Sequence, residues 1–223
     1  MLVTGIKSKP VYAPLQADTR GRFHLMLGMG VGAAPLLRVI DEMRATSAHS
    51  LKTTRVLFVP EAGAHAEAAH AEAVHAAGPA TADATPGIEQ FNAAALGEVQ
   101  AFAHPQPLLE QFRAILGQSL MGTRLYVAGP ESFIGLAMKI ALEFNLNKDE
   151  IRAEECGTLA RRVYCIHCRS TTDNVRTNIV RCVGCERWLL VRDHYSRRLA
   201  AYMGVMVDAE APGELPPLKE VFL

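Results

Sequence analysis

The feature that most restricts this chain is a pair of short cysteine motifs. Cys165-Ile166-His167-Cys168 is followed, after thirteen residues, by Cys182-Val183-Gly184-Cys185. Each Cys-x-x-Cys can wrap a tight turn whose backbone N–H groups point at sulfur, and four thiolates can then close a tetrahedron around one ion at roughly 2.3 Å. Two disulfides are the plainer alternative, but a Cys-x-x-Cys disulfide is strained, and Met1–Pro14 lacks the apolar stretch of a secretory signal. All-sulfur tetrahedral sites suit zinc or iron. Zinc is favoured because Arg169 and Glu186 stand where an iron-binding knuckle usually has glycine; iron stays as the alternative. A closed four-cysteine site leaves no open coordination position, so Cys165, Cys168, Cys182 and Cys185 read as a structural staple.

At 223 residues the chain has room for one ordinary domain and a small one, and with 49% hydrophobic residues it can build a sizeable core. The net charge is zero, yet residues 158–200 hold nine arginines against three acids. A basic lobe on a neutral protein suggests an acidic partner surface or nucleic acid. Five cysteines, four in the metal motif, fit a reducing compartment, so the expected location is cytoplasmic, with Cys156 a buried free thiol. No apolar run approaches the roughly 18 residues of a membrane helix, and no membrane association is expected.

Upstream of the cysteines the pattern is that of an α/β protein. Residues 1–20 read as an N-terminal arm. Phe23–Gly28 reads as a buried strand entering a glycine turn, Gly28, Gly30, Gly32 and then Pro35, with helical periodicity over 36–44. Strand, glycine turn and helix open a dinucleotide-binding βαβ unit, and a tight turn with no ligand explains the same residues equally well. Arg55–Pro60 is a second strand, with Glu61 placed to accept ribose hydroxyls or simply to end the strand. The Ala-rich segment 62–86 reads as a solvated helix. Its His65, His70 and His75 are spaced by five, which puts them about 140° apart around a helix and rules against a shared metal. Helices over 88–95 and 107–120, strands over 98–103, 125–130 and 151–154, and a helix over 132–144 complete an alternation that predicts a doubly wound parallel sheet. Its ligand crevice would lie between Gly28–Pro35 and Ala128–Ser132. From 158 to 207 the pattern changes to short strands around the knuckles, a zinc-ribbon-like β module. Residues 208–223 read as a Pro-rich acidic tail, of which 208–217, with three prolines and three acids, orders only against a partner.

Residues 21–157 resemble the NAD(P)-binding domain of ferredoxin–NADP reductase-like flavoproteins. That family's first turn, Gly-Gly-x-Gly-x-Thr-Pro, is matched by Met29-Gly30-Val31-Gly32-Ala33-Ala34-Pro35. Its Cys-Gly-Pro turn is matched by Ala128-Gly129-Pro130, and Ile151–Glu154 resembles its final strand. The resemblance implies a nucleotide site at Gly28, Gly30, Gly32, Pro35, Gly129, Pro130, Glu131 and Ser132. The threonine is Ala34 here and the cysteine is Ala128. With about twenty residues ahead of the domain, no flavin-binding barrel is expected in this chain, and hydride transfer by it alone is not expected.

Such a domain followed by a four-cysteine ribbon resembles the family of small subunits of dimethylamine monooxygenase. The motifs that carry this are Cys165–Cys168, Cys182–Trp188 and Asp193–Arg197. The resemblance implies a multi-subunit, NADPH-dependent enzyme that converts dimethylamine to methylamine and formaldehyde. It implies partners too: a haem-binding subunit that activates O2, and a reductase subunit with flavin and [2Fe-2S]. Three readings follow. In the first the chain is an auxiliary docking subunit whose arginines, Arg161, Arg162, Arg169, Arg187 and Arg192, face acidic partners. In the second it carries the NADPH site or, with iron in place of zinc, relays electrons. In the third, from a different class, it is a nucleic-acid-binding ribbon, which sparse aromatics (Tyr164, Trp188, Tyr195) make the weakest. His167 reads as a turn residue or a tuner of a neighbouring sulfur, and His194 as a surface residue or a group near a partner's cofactor. No catalytic residue is expected.

Overall fold

The computed structural model describes residues 8–18, 20–60, 87–119 and 121–223. They form two compact units, one over residues 12–157 and the other joining 158–223 with the N-terminal end of the chain.

In the larger unit five strands run parallel: β1 Phe23–Met29, β2 Thr54–Val59, β3 Glu98–Ala101, β4 Thr123–Gly129 and β5 Ile151–Glu155. Their order across the sheet is β3-β2-β1-β4-β5. The strands β1 and β4 therefore lie side by side, with Gly28 opposite Ala128. The helices are α1 Ala33–Thr46, α2 Ala48–Lys52, α3 Ile88–Ala93, α4 Pro105–Leu116 and α5 Glu131–Glu143. Period-two alternation along β1 sends Leu25, Leu27 and Met29 to one face, against Leu108, Leu109 and Phe112 of α4 and Phe133, Ile134 and Ala137 of α5. Met26 goes to the other face with Leu36, Val39, Ile40 and Met43 of α1 and Phe91 of α3. Helices thus cover both faces, and the expected doubly wound parallel sheet is what forms.

Several helix boundaries differ from the sequence reading. The helix α1 begins at Ala33 rather than 36, because Gly30–Gly32 form a single 3-10 turn that leads straight into it. The helix α4 begins at Pro105, since proline lacks only an N–H that the first helical position leaves unbonded anyway. It ends before Gly117, not at 120. The segment 62–86, with His65, His70 and His75, and also Glu61, lies outside the described residues. No helix among the described residues is long and apolar enough to cross a membrane.

The smaller unit holds five more strands: β6 Arg161–Cys165, β7 Thr171–Val175, β8 Ile179–Arg181, β9 Trp188–Ser196 and β10 Ala201–Met206. They form one sheet in the order β7-β6-β10-β9-β8. The unit is more than two hairpins on two knuckles, because β10 runs back between β6 and β9 and pairs with β6 in parallel. A small core of Val163, Val175, Leu189, Val191, Tyr195 and Tyr202 includes two of the cysteines, Cys165 and Cys182.

Beyond residues 208–217, the last residues of the chain dock on the β module. Thr177 pairs with Glu220, the amides of Val221 and Phe222 donate to the Arg176 carbonyl, and the Leu159 amide donates to the Leu223 carbonyl. Phe222 explains why the segment docks. The Arg161 guanidinium lies between its ring and that of Tyr202, 3.8 and 3.9 Å from the two centroids. Desolvated cation–π contacts of this kind stabilise by roughly 1–2 kcal/mol each.

Candidate functional site

The knuckles repeat one local geometry. The amide of Arg169 donates to the Cys165 carbonyl and that of Glu186 to the Cys182 carbonyl, each at 3.0 Å. Both residues take the left-handed conformation, at φ 67° and 59°. The strand re-enters as the Cys165 amide donates to Ser170 and the Cys182 amide to Arg187, each at 2.9 Å. These turns bring the four sulfurs of Cys165, Cys168, Cys182 and Cys185 within 4.8 Å of one another. The separations of 3.7 Å for Cys165–Cys185 and 3.5 Å for Cys168–Cys182 are close to the edge of about 3.8 Å of a tetrahedron with 2.3 Å metal–sulfur bonds. The donor set fits a tetrahedrally coordinated, thiophilic metal ion.

The surroundings divide the four thiols unequally. Burial pushes the Cys165 thiol up to about 11, against amides of Cys168 and His167 that donate to its sulfur. The Ser170 hydroxyl and amide donate to the Cys168 sulfur and bring that thiol down to about 6. The Arg187 amide and guanidinium do the same for Cys185, lowering it. The Gly184 amide lies 3.4 Å from the Cys182 sulfur. A bound cation needs all four as thiolates, and the N–H and O–H donors spread the charge that four thiolates concentrate. Gly184 also makes the knuckles' approach possible, since a Cβ there would sit 2.2 Å from the Ser170 hydroxyl and 3.1 Å from the Cys168 sulfur. Ser170 was not among the residues that the spacing singles out. Its signal is a hydroxyl two residues after the second cysteine, which only the fold connects to sulfur.

The crevice residues gather at the C-terminal ends of β1 and β4. Gly30 has φ 56° and Gly129 φ 154°, and Gly32 lies where a Cβ would meet the Ala128 carbonyl oxygen at 2.2 Å. Gly28 faces Leu36 and Phe58, whose side-chain atoms a Cβ would approach to 2.8 Å. Packing therefore accounts for Gly28 and Gly32, and the left-handed conformation for Gly30. Pro35 is buried in the first turn of α1, Pro130 caps α5, and Glu131 is buried in the first turn of α5 with Ser132 half-exposed beside it. The Ala33 amide is bonded to the Gly30 and Val31 carbonyls. Val31 leans over the crevice towards Gly157, where a Cβ would stand 3.4 Å from its methyl group. The neighbouring cleft of about 720 Å³ is lined by Gly30, Ala34, Asp41 and Glu42, with Arg38 the cation on its wall. Arg38 is engaged by Glu154. Cys156 packs beside this face of the sheet, its thiol pushed up to about 11 by burial and by Glu154 and Glu155.

A polar cluster that the sequence reading missed lies at the opposite end of the sheet. Asp18, 4% exposed, accepts from Arg20, Arg124 and Arg152, and its amide donates to the Tyr126 hydroxyl. Arg20 first, then Arg124, holds the Asp18 carboxyl well below the usual carboxylate range. Burial keeps His24 neutral and raises the Tyr126 hydroxyl, and the two lie 3.4 Å apart. This cluster pins the segment before β1 to the sheet.

Of the five arginines expected to face partners, Arg161 is buried and bonded to Asp193, and Arg162 is paired with Asp173. Arg169, Arg187 and Arg192 are exposed. His167 and His194 are exposed as well.

Fold and site thus define a doubly wound α/β unit joined in one chain to a β module whose knuckles gather four cysteine sulfurs in a set that could hold a metal. The chain belongs to the dimethylamine monooxygenase subunit DmmA-like family: that family's N-terminal domain matches residues 4–93 and 84–151, and its C-terminal domain matches residues 162–205. A relative from Ectopseudomonas mendocina (strain ymp), "Heme-dependent oxidative N-demethylase delta subunit", is 33% identical over 127 residues, which cover 54% of this chain and 73% of the relative. Among solved structures, the ferredoxin reductase of carbazole 1,9a-dioxygenase, in its FAD apo form, is 18% identical with a TM-score of 0.39 over 63% of this chain. The Amycolatopsis cytochrome P450 reductase GcoB is 15% identical with a TM-score of 0.43 over 62%. The matches span only 34% and 38% of those two reductase chains.

Proposed function

We propose that this chain is an auxiliary subunit of an oxidoreductase complex, an NADPH-dependent dimethylamine monooxygenase that releases methylamine and formaldehyde. In this reading a haem-binding subunit activates O2, a reductase subunit with flavin and [2Fe-2S] delivers electrons, and this chain joins them in the cytoplasm. The observation that carries the reading is the four-sulfur tetrahedron, whose donor set leaves no position for substrate. Zinc held by Cys165, Cys168, Cys182 and Cys185 would supply folding energy to a module whose own core is small.

The α/β unit supports a docking role over hydride transfer. Among the described residues, the cleft beside Gly30–Ala34 offers two carboxylates and one arginine already engaged by Glu154, a poor environment for a pyrophosphate. If NADPH does bind here, Gly30, Gly32, Gly129 and Pro130 are the backbone it would approach, with Ser132 at the helix end.

One observation favours a second reading, iron and electron relay. Arg169 and Glu186 reach the left-handed conformation without glycine, so the absence of glycine after the knuckles does not select zinc. The nucleic-acid reading gains no support from the aromatics. Tyr195 is buried against Tyr202, and Tyr164 and Trp188 are half-buried in strands rather than displayed as a stacking platform.

The test is metal content and an absorption spectrum of the chain purified alone, followed by NADPH titration. One zinc per chain, no visible band and no NADPH binding are expected. One iron with thiolate-to-iron charge-transfer bands would place the chain on the electron path and overturn the staple reading.

A further inference from the structure

We infer that Ser170 and Arg187 are a matched outer pair for the metal centre, each reaching back from its knuckle to the less buried sulfur and so setting how tightly the ion is kept. The inference rests on the metal reading proposed above and goes beyond it by naming residues outside the four cysteines that act on the ion through the sulfurs.

The knuckles place their cysteines in unequal surroundings. The first cysteine of each, Cys165 and Cys182, is buried among the apolar side chains of the module. The second is not: Cys168 is exposed and Cys185 half-buried. The residue two positions after that second cysteine plays the same part in both knuckles. Its carbonyl accepts the amide of the first cysteine, Ser170 from Cys165 and Arg187 from Cys182, each at 2.9 Å. That bond closes the turn and sets the side chain beside the second sulfur. Cys168 receives the amide and hydroxyl of Ser170, and Cys185 the amide and guanidinium of Arg187. A hydroxyl in one knuckle and a guanidinium in the other thus meet the same need.

Both side chains are left available for it. The carboxylate next to Arg187 in the chain, Glu186, is bonded at 2.9 Å to Arg181, which also donates to the Glu186 carbonyl. The opposite knuckle makes room for Ser170. A Cβ at Gly184 would stand 2.2 Å from the Ser170 hydroxyl oxygen and 3.1 Å from the Cys168 sulfur, so both atoms converge on a glycine. Four thiolates on a divalent ion carry surplus negative charge. Donors to the solvent-facing sulfurs disperse it, and among the donors described Arg187 alone brings a full positive charge against it.

The experiment is a competition for zinc between the full chain and a chelating chromophore. It is run on the parent, Ser170→Ala, Arg187→Gln, Arg187→Lys and, as a control, Arg169→Gln, which removes an exposed cation beside the first knuckle. Cobalt(II) in place of zinc gives a second readout, because thiolate-to-cobalt charge-transfer bands report on the sulfurs themselves. Ser170→Ala and Arg187→Gln should lose zinc affinity roughly tenfold or more and shift those bands. At saturating zinc both should keep the parent's protection of β6 and β10 amides from hydrogen exchange. Arg187→Lys should recover part of the loss, and Arg169→Gln should match the parent. Parent-like affinity and bands in both variants overturn the outer pair and leave the metal reading intact. An equal loss in Arg169→Gln overturns it too, since charge would then act without contact. So does unprotected β6 and β10 at saturating zinc, which would make the two residues part of the turn rather than partners of the sulfurs. A parent chain that takes up neither ion overturns both the pair and the metal reading.

Discussion

The two units of this chain reach stability by different routes. The α/β unit buries two continuous apolar layers, one on each face of its sheet. At its crevice Gly28 and Gly32 sit where a Cβ would collide with neighbouring atoms. The β module has one small apolar cluster, two of whose buried members are the knuckle cysteines Cys165 and Cys182. It supplements that cluster with a buried arginine beside two rings and the chain's own end, and on the proposed reading with a metal. A sheet covered by helices on both faces can be stabilised by area alone. A sheet with one small cluster has less area to bury and gains more from a cross-link.

The largest expected effect is at the metal. Cys165→Ser, or a strong chelator, should unfold the β module and leave the α/β unit folded, since structural zinc contributes on the order of 10 kcal/mol to small thiolate modules. The single tryptophan, Trp188, lies in the module, and every helix among the described residues lies in the α/β unit. Tryptophan fluorescence should therefore change while helical circular dichroism persists. Loss of both signals together would show that the units do not differ in this way. Acid should reproduce the effect, because protons compete with the ion for thiolates.

Gly32→Ala should act on the other side of the comparison. Its Cβ would meet the Ala128 carbonyl, backbone against backbone, so a loss of about 3 kcal/mol is expected in the α/β unit alone. Thermal melting of the helical signal, with metal content unchanged, checks it. A variant as stable as the parent would mean that the turn has room and that its glycine serves something other than packing.

The smallest effect is at Asp18. Asp18→Asn should cost the α/β unit about 2 kcal/mol, since three arginines lose their shared carboxylate. The sign in pH follows from the lowered folded-state value. The contribution is complete above the unfolded carboxylate's value near 4 and is lost as pH falls towards the folded one. The parent's melting temperature should fall in acid more steeply than the variant's; parallel curves would remove Asp18 from the account.

Much of the fold was legible because its signals are local. A buried strand announces itself by an unbroken apolar run, as at Leu25–Leu27, and a helix by its apolar stripe, as at Leu108, Leu109 and Phe112. The knuckles are more local still, four residues each. Less legible were features whose partners are distant in the chain. Nothing near Arg161 in sequence indicates that Tyr202 and Phe222 enclose it, so a buried structural cation read as part of a docking surface. The prolines and acids of the C-terminal segment likewise carry no trace of the pairing between Thr177 and Glu220. Asp18, in a segment without periodicity, gave no sign of its three arginines.

The sequence by itself determined the alternation of strands and helices and marked the four cysteines whose sulfurs the fold gathers, because periodicity and motif spacing act over a few residues. Only the tertiary structure decided that β10 inserts between β6 and β9, that Ser170 and Arg187 donate to the cysteine sulfurs, and which arginines stay in solvent. Those outcomes depend on pairings between segments tens of residues apart, where the competition is between burial of one surface and burial of another.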